Sequence, residues 1–291
     1  MNYFPFFCML SVFLWLGSQE TQAQSLKPIL SQGCGKNTPE KLLTHIEIDG
    51  IQRELIVVIP KDYSSSQTYD LVFAFHGRTD TNKKVRSYFQ LEHAAKNPTI
   101  FVYPAGTRDK KEHNHWWRKH DKANALRDYE LFDKALTSME ANYCINTNDI
   151  YLFGHSLGAT FVNSLGCARA DKIRAIVTVA GGIRHADCSA PVTALMLHNP
   201  KDNLVKIADG ISARDWFLKN NGFEKTSIKT VPESLNCQRY GPEKTSSPII
   251  WCEHHHDYNH RKHFYPHNWP GETATVAFDF FSKLPKQLET D

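Results

Sequence analysis

The run Ile150-Tyr151-Leu152-Phe153-Gly154-His155-Ser156-Leu157-Gly158 restricts the possible folds of this chain more than any other stretch. Its first half is a short apolar run of strand character, and Ala159 to Arg169 reads as helix. A turn this tight between strand and helix strains the residue at its apex, Ser156, and leaves no room for side chains at Gly154 and Gly158. The serine hydroxyl is then raised at the C-terminal edge of a sheet. It sits at a helix N-terminus, where free N–H groups and the positive end of the helix dipole can hold an oxyanion. Gly-x-Ser-x-Gly also occurs in ordinary strand-helix turns. The strand before and the helix after it supply the context that makes Ser156 a candidate nucleophile.

The rest of the chain alternates strand and helix. Thr44 to Ile48 and Gln52 to Ile59 alternate apolar and polar residues around Asp49-Gly50, a hairpin signal. Leu71 to Phe75 is a continuous apolar run, as in a strand buried on both faces of a mostly parallel sheet. Helical spacing follows over Asn82 to Ala95, then a buried strand over Thr99 to Tyr103. Gly106 to Asn124 is a polar loop carrying His113, His115, Trp116 and Trp117, and Arg127 to Asn142 is a helix. Ile173 to Val179 and Val192 to His198 read as buried strands, and Val205 to Asn220 as helix. Ile228 to Val231 and Ile249 to Glu253 read as the last strands, and Thr273 to Lys283 as the closing helix. The class is α/β, a mostly parallel central sheet flanked by helices in one domain over 24–291.

Residues 1–23 stand apart. Phe4 to Leu16 is almost wholly apolar yet too short to anchor in a bilayer, and Thr21-Gln22-Ala23 has the small residues that signal peptidase needs. The segment reads as a cleaved secretory signal without the usual basic start, placing the mature chain outside the cell or in a periplasm with no membrane span. Cys8 leaves with it. Cys34, Cys144, Cys167, Cys188, Cys237 and Cys252 remain, an even set suited to disulfides in an oxidising compartment. Cys237 and Cys252 flank a loop with Gly, Pro and Ser and form the expected local pair. The formal charge of +3, with Lys and Arg scattered, gives no nucleic-acid footprint.

A nucleophilic serine needs a base to take its proton and an acid to orient that base. Asp202 follows the strand ending at His198 and falls on the same sheet edge as Ser156. Its rival Asp209 lies within helical spacing and reads as solvated surface. The base belongs after the last strand and before the closing helix, where His267 precedes the rigid turn Trp269-Pro270-Gly271. The nearby run His254-His255-His256 with His260 and His263 reads as an exposed polar loop bordering the cleft, and no metal site is expected from it. For the oxyanion, one N–H comes from Leu157 and a second from Arg78 or Thr79, in the loop after Phe75. His76 reads as a buried brace for that loop. Trp116, Trp117, Trp269 and Tyr265 are candidate walls of a substrate pocket.

Several motifs recur in a fixed order: Cys34-Gly35-Lys36, Phe75-His76-Gly77, Asn142-Tyr143-Cys144-Ile145, Gly154-His155-Ser156-Leu157-Gly158, Val179-Ala180-Gly181-Gly182, Asp202, and His267-Asn268-Trp269-Pro270-Gly271. In this the chain resembles the secreted feruloyl esterase and polyhydroxybutyrate depolymerase family of α/β-hydrolases, the LpqC-like esterases, over roughly Cys34 to Leu284. The resemblance implies Ser156, Asp202 and His267 as a triad working without cofactor or metal. It implies esters as substrates: acylated fragments of plant cell-wall polysaccharide first, hydroxyalkanoate oligomers second. A serine peptidase on the same fold and a scaffold that has lost catalysis are the readings from other classes.

Overall fold

Asp49-Gly50 turns the chain with both residues at positive φ (51° and 73°), which joins β1 (His45–Ile48) to β2 (Ile51–Val58) as a tight antiparallel hairpin. The computed structural model describes residues 28–108, 114–115, 122–184, 187–230 and 232–285. The expected signal segment, Trp116 and Trp117 therefore lie outside the described residues.

After the hairpin come β3 (Tyr69–Phe75), α1 (Asn82–Phe89), α2 (Leu91–Ala94), β4 (Thr99–Pro104), β5 (Thr107–Arg108), β6 (Asn114–His115) and α3 (Lys122–Asn142). They are followed by β7 (Ile145–His155), α4 (Leu157–Ala168), β8 (Ala175–Val179), β9 (Ala194–His198), α5 (Ile207–Asn220), β10 (Ser227–Thr230), β11 (Cys237–Tyr240), β12 (Ile249–Glu253) and α6 (Thr273–Ser282). Among the described residues, one ten-stranded sheet runs β1-β2-β4-β3-β7-β8-β9-β12-β11-β10. Its six inner strands, β4 to β12 in that order, are parallel, while the outer strands on both sides pair antiparallel.

The continuous apolar runs exist because helices cover both faces of the inner strands. Leu71, Phe73 and Phe75 face one way, with Phe132 and Leu136 of α3, Phe161 and Leu165 of α4 and Phe217 of α5. Val72 and Ala74 face the other way, with Val85 and Phe89 of α1 and Ala277, Phe278 and Phe281 of α6. Period-2 alternation thus divides one strand between two cores.

Three expectations change. Helical spacing over Asn82 to Ala95 becomes two helices, because Gln90 at φ 56° is a left-handed cap that ends α1 and redirects the chain into α2. The strand β11 lies between the two read as last. Its Cys-Gln-Arg-Tyr sequence is too short and polar to show alternation, yet it pairs residue for residue with β12. The His-rich run is not wholly exposed, since His254 continues directly from β12 and is fully buried.

Three disulfides join Cys34 to Cys144, Cys167 to Cys188 and Cys237 to Cys252. The last is a cross-strand pair in register between β11 and β12. The first fixes the leader against the start of β7. There Gly33 passes so close to Tyr143 that a Cβ on it would lie 2.3 Å from the Tyr143 nitrogen. No described helix is long and apolar enough to cross a membrane.

Candidate active site

Backbone crowding builds the turn around Ser156. A Cβ on Gly154 would lie 2.5 Å from the Gly158 carbonyl oxygen, and one on Gly158 would lie 2.2 Å from that of Phe75. Helix α4 can therefore start directly against the end of β3 only with glycine at both positions. Ser156 bears the strain, at φ 58° and ψ −122°, a conformation costing on the order of 1–3 kcal/mol for a residue with a side chain. The Ser156 N–H donates to Val179 O at 2.9 Å, and its carbonyl accepts from the Thr160 N–H at 3.0 Å. Gly77 packs against the serine from the β3 side, where a Cβ would come within 3.2 Å of Ser156 Cβ.

Asp202 and His267 meet from two distant loops. His267 Nδ1 lies 2.6 Å from Asp202 Oδ2, with both side chains buried. Asp202 Oδ1 accepts from the N–H groups of Leu204 (2.9 Å) and Val205 (3.0 Å), so the carboxylate is held in one orientation. Burial pushes the Asp202 carboxyl up. The hydrogen bond from His267, that residue's charge and the two backbone N–H groups outweigh burial and hold it below the usual carboxylate range. A carboxylate so placed fixes the proton of His267 on Nδ1 and leaves Nε2 as the basic nitrogen.

The neighbouring histidines are neutral. Burial, followed by the charge of His267, drops His155 to about 3, and burial drops His254 to about 3. Burial also lowers His198, whose Nε2 donates to Val205 O at 2.9 Å. The His155 ring lies 5.1 Å from that of His267, centroid to centroid, and its Nδ1 is 3.1 Å from the Tyr88 hydroxyl. His76 is a fully buried brace, with Nε2 accepting from the Gly106 N–H (2.9 Å) and Nδ1 donating to Gly77 O (2.7 Å).

Ser156, Leu157, Arg78 and His267 line one cavity of about 560 Å³. Leu157 opens α4, so its N–H is one of the unpaired donors at that helix N-terminus. The structure thus brings together the expected nucleophile, base and both oxyanion residues, with Asp202 behind the base. Trp269 goes elsewhere: its ring stacks on Phe89 at 3.7 Å, and it lines a separate cavity. Asp209 is exposed at the rim of the Ser156 cavity. The described residues include no group of three or more His, Cys, Asp or Glu able to hold a metal ion.

A family model described as putative esterase matches residues 49–173. The probable feruloyl esterase C of Aspergillus terreus is 30% identical over 211 residues, covering 68% of this chain and 72% of that one. The chain belongs to the feruloyl esterase family. It is a serine carboxylic-ester hydrolase. Feruloyl esterase D of Neurospora crassa is 26% identical over 279 residues, 87% of this esterase and 90% of that one. Among solved structures, the Bacillus cereus carboxylesterase superposes with a TM-score of 0.57 at 11% identity, covering 79% of this chain and 94% of that one. A ferulic acid esterase from Anaeromyces mucronatus, solved with ferulic acid, superposes with a TM-score of 0.51 at 16% identity, covering 85% and 93%. The fold shared with both is the α/β-hydrolase fold.

Tyr265, before the base, lines this esterase's cavity as expected, but the sequence did not mark its other side walls: Ile183 and Arg184 after β8, and Leu204 and Val205 after the acid. Val179-Ala180-Gly181-Gly182 was the available signal. A Cβ on Gly181 would lie 2.5 Å from that of Ala159, so the loop is pressed onto α4. Thr160 Oγ1 accepts from the Gly182 N–H (3.1 Å) and Asn163 Nδ2 donates to Gly182 O (2.7 Å), fixing that wall beside the serine.

Proposed function

We propose that this esterase is secreted and releases ferulic or related acyl groups from plant cell-wall polysaccharide through an acyl-enzyme on Ser156. The single observation that carries the chemistry is the buried 2.6 Å pair of His267 and Asp202 beside the cavity that holds Ser156. The acyl group is argued from the relatives, which are named feruloyl esterases. Three disulfides fit an oxidising compartment, as does removal of residues 1–23, which leaves 24–291 as the mature domain.

In this reading His267 Nε2 takes the hydroxyl proton as Ser156 attacks the ester carbonyl. The N–H groups of Leu157 and Arg78 hold the tetrahedral oxyanion, aided by the positive end of α4. His267 then hands its proton to the leaving alcohol, and water repeats the sequence on the acyl-enzyme. Asp202 keeps His267 in the required tautomer and stabilises the imidazolium. Each role needs only side chains and backbone of this chain, so no cofactor enters. Ile183, Leu204 and Val205 give the acyl side apolar walls, and Thr160 and Ser212 give it polar groups for a phenol.

The test is parallel hydrolysis of methyl ferulate, p-nitrophenyl acetate and the 3-hydroxybutyrate dimer. Turnover of ferulate well above acetate is expected. Preference for the hydroxybutyrate dimer would move the enzyme to hydroxyalkanoate oligomers, and turnover of aminoacyl amides alone would make it a peptidase.

A further inference from the structure

A second cavity, of about 630 Å³, adjoins the first and shares Tyr265 with it. The acyl-transfer steps make no use of it. Its walls combine the rings of Tyr88, Tyr258, Tyr265 and Trp269 with the polar side chains of Asp80 and Asn259. Among the described residues no Leu, Ile, Val or Met lines it, which makes it a poor bed for a lipid or alkyl chain. No described Lys or Arg lines it either; its basic side chains are His155, His256 and His260, and His256 is paired with Glu272 at 3.0 Å, a poor set for a phosphate chain. Flat aromatic faces beside carboxylate and amide groups suit a neutral sugar. A pyranose or furanose ring lays its apolar C–H face on an aromatic ring and turns its hydroxyls to the polar edge.

The loop bearing these rings exposes them at an unusual density. Tyr258, Phe264 and Tyr265 are 62%, 57% and 40% exposed within a few residues of one another. Tyr258 and Phe264 pack edge to face with ring centroids 5.8 Å apart, and the loop is fixed by its own hydrogen bonds. The Tyr265 N–H donates to Asp257 O (2.7 Å), the Asn259 N–H to His263 O (3.0 Å), and Asn268 Nδ2 to the carbonyls of His256 (2.9 Å) and Tyr258 (3.1 Å). Lys201 and Asn199 hold Asp257 from the acid loop. The rings are therefore held ready for a ligand, which lowers the cost of ordering them on binding.

Position assigns the ligand its part in the reaction. His267 must protonate the leaving oxygen, so the alcohol departs on the side of the imidazole. Tyr265 stands edge-on to that imidazole at 6.0 Å and is the wall common to both cavities. On the acyl-transfer reading, an alcohol that leaves past the imidazole meets Tyr265 and, beyond it, the second cavity.

We propose that the second cavity is a saccharide subsite, which binds the sugar chain of the ester with Tyr258 and Tyr265 as stacking faces and Asp80 and Asn259 as hydroxyl partners. The proposal rests on the acyl-transfer reading of Ser156 and His267 but does not require the acyl group to be ferulate. It predicts selection of substrates by their alcohol.

Tyr258 is the residue to change, being exposed and outside the Ser156 cavity. The experiment measures calorimetric binding of unesterified xylo- and arabinoxylo-oligosaccharides, and KM and kcat on a feruloylated arabinoxylo-oligosaccharide and on methyl ferulate, for the full chain and for Tyr258→Ala and Tyr258→Trp. Expected in Tyr258→Ala is an increase of about tenfold in oligosaccharide Kd and in KM for the saccharide ester, the worth of one stacking contact. Constants for methyl ferulate should hold, and Tyr258→Trp should restore binding. Absence of oligosaccharide binding to the unaltered protein, or Tyr258→Ala constants that match it, would overturn the subsite. An equal rise in KM for both esters would assign the cavity to the acyl group and overturn it too. Tyr258-dependent oligosaccharide binding by a protein that hydrolyses neither ester would retain the subsite and remove the acyl-transfer reading.

Discussion

His267 Nδ1 and Asp202 Oδ2 lie 2.6 Å apart in a buried pair, although the two residues come from loops on either side of α5 and three later strands. Asp202 spends its other oxygen on the N–H groups of Leu204 and Val205, so a change there alters the base without freeing the loop from its remaining contacts. Asp202→Asn should lower kcat by about 10⁴-fold, as loss of the orienting carboxylate does in serine hydrolases generally. A loss below tenfold in steady-state kinetics would remove Asp202 from the mechanism.

The same pair sets a pH dependence of stability. Asp202 is held below the ordinary carboxylate value despite its burial, because His267 and backbone N–H groups favour the charged form. A depressed native pKa contributes stability that is present above the unfolded value of about 4 and is lost as pH falls through the native one. Melting temperatures of the unaltered protein and Asp202→Asn should differ most above pH about 4 and converge below it. A gap that widens on acidification would contradict this.

The turn at the serine tolerates no side chain at Gly158, where a Cβ would stand 2.2 Å from Phe75 O and 2.5 Å from His76 O. Gly158→Ala should abolish activity and lower the melting temperature by several degrees or prevent folding. At Gly271 a Cβ meets nothing within 4 Å, so Gly271→Ala should leave rate and melting unchanged. Circular dichroism melts and ester hydrolysis check both.

Those two glycines also illustrate what was legible in the sequence. Close approach of backbone to backbone has one chemical solution, so the crowded turn at Gly154, Ser156 and Gly158 was readable once the flanking strand and helix gave the spacing its context. So were Asp202 and His267, because each follows a strand that the hydrophobic runs already located. The break at Gln90 was not readable, since a left-handed cap on a glutamine leaves no mark in apolar spacing. The burial of His254 was hidden for a related reason: it depends on packing at the end of β12, not on its polar neighbours in the chain. Of the second cavity, Tyr265 and Trp269 were legible as pocket residues, but not Tyr88 of α1 and Tyr258 of a distant loop, which come to one cavity only in three dimensions.

At the opposite end of β3, Asp70 lies in a cavity with Asn97, Asp149 and Tyr151. Burial, then the charge of Asp149, pushes its carboxyl up to about 7, against the hydrogen bond from Asn97. The native state therefore holds a proton that the unfolded chain releases, and stability falls as pH rises from about 4 to about 7. Asp70→Asn should raise the melting temperature at pH 8 and leave it unchanged near pH 4. Destabilisation at pH 8 would contradict this ordering.

The disulfides close loops of very different length, with sequence separations of 110 for Cys34–Cys144 and 15 for Cys237–Cys252. Loop-closure entropy gives about 5 kcal/mol for the first and about 3 kcal/mol for the second. Replacing Cys34 and Cys144 with Ser should lower the denaturant midpoint more than replacing Cys237 and Cys252. The reverse order would mean that packing between β11 and β12, not chain entropy, dominates.

The most direct measurement is the rate of methyl ferulate and p-nitrophenyl acetate hydrolysis by Ser156→Ala, alongside its melting temperature. The nucleophile assignment predicts a loss of about 10⁶-fold in kcat. The melting temperature should be equal or higher, since the Ser156 side chain makes no helix-capping hydrogen bond that alanine would lose. Activity retained within about a hundredfold by a folded Ser156→Ala protein would contradict the mechanism at its first step.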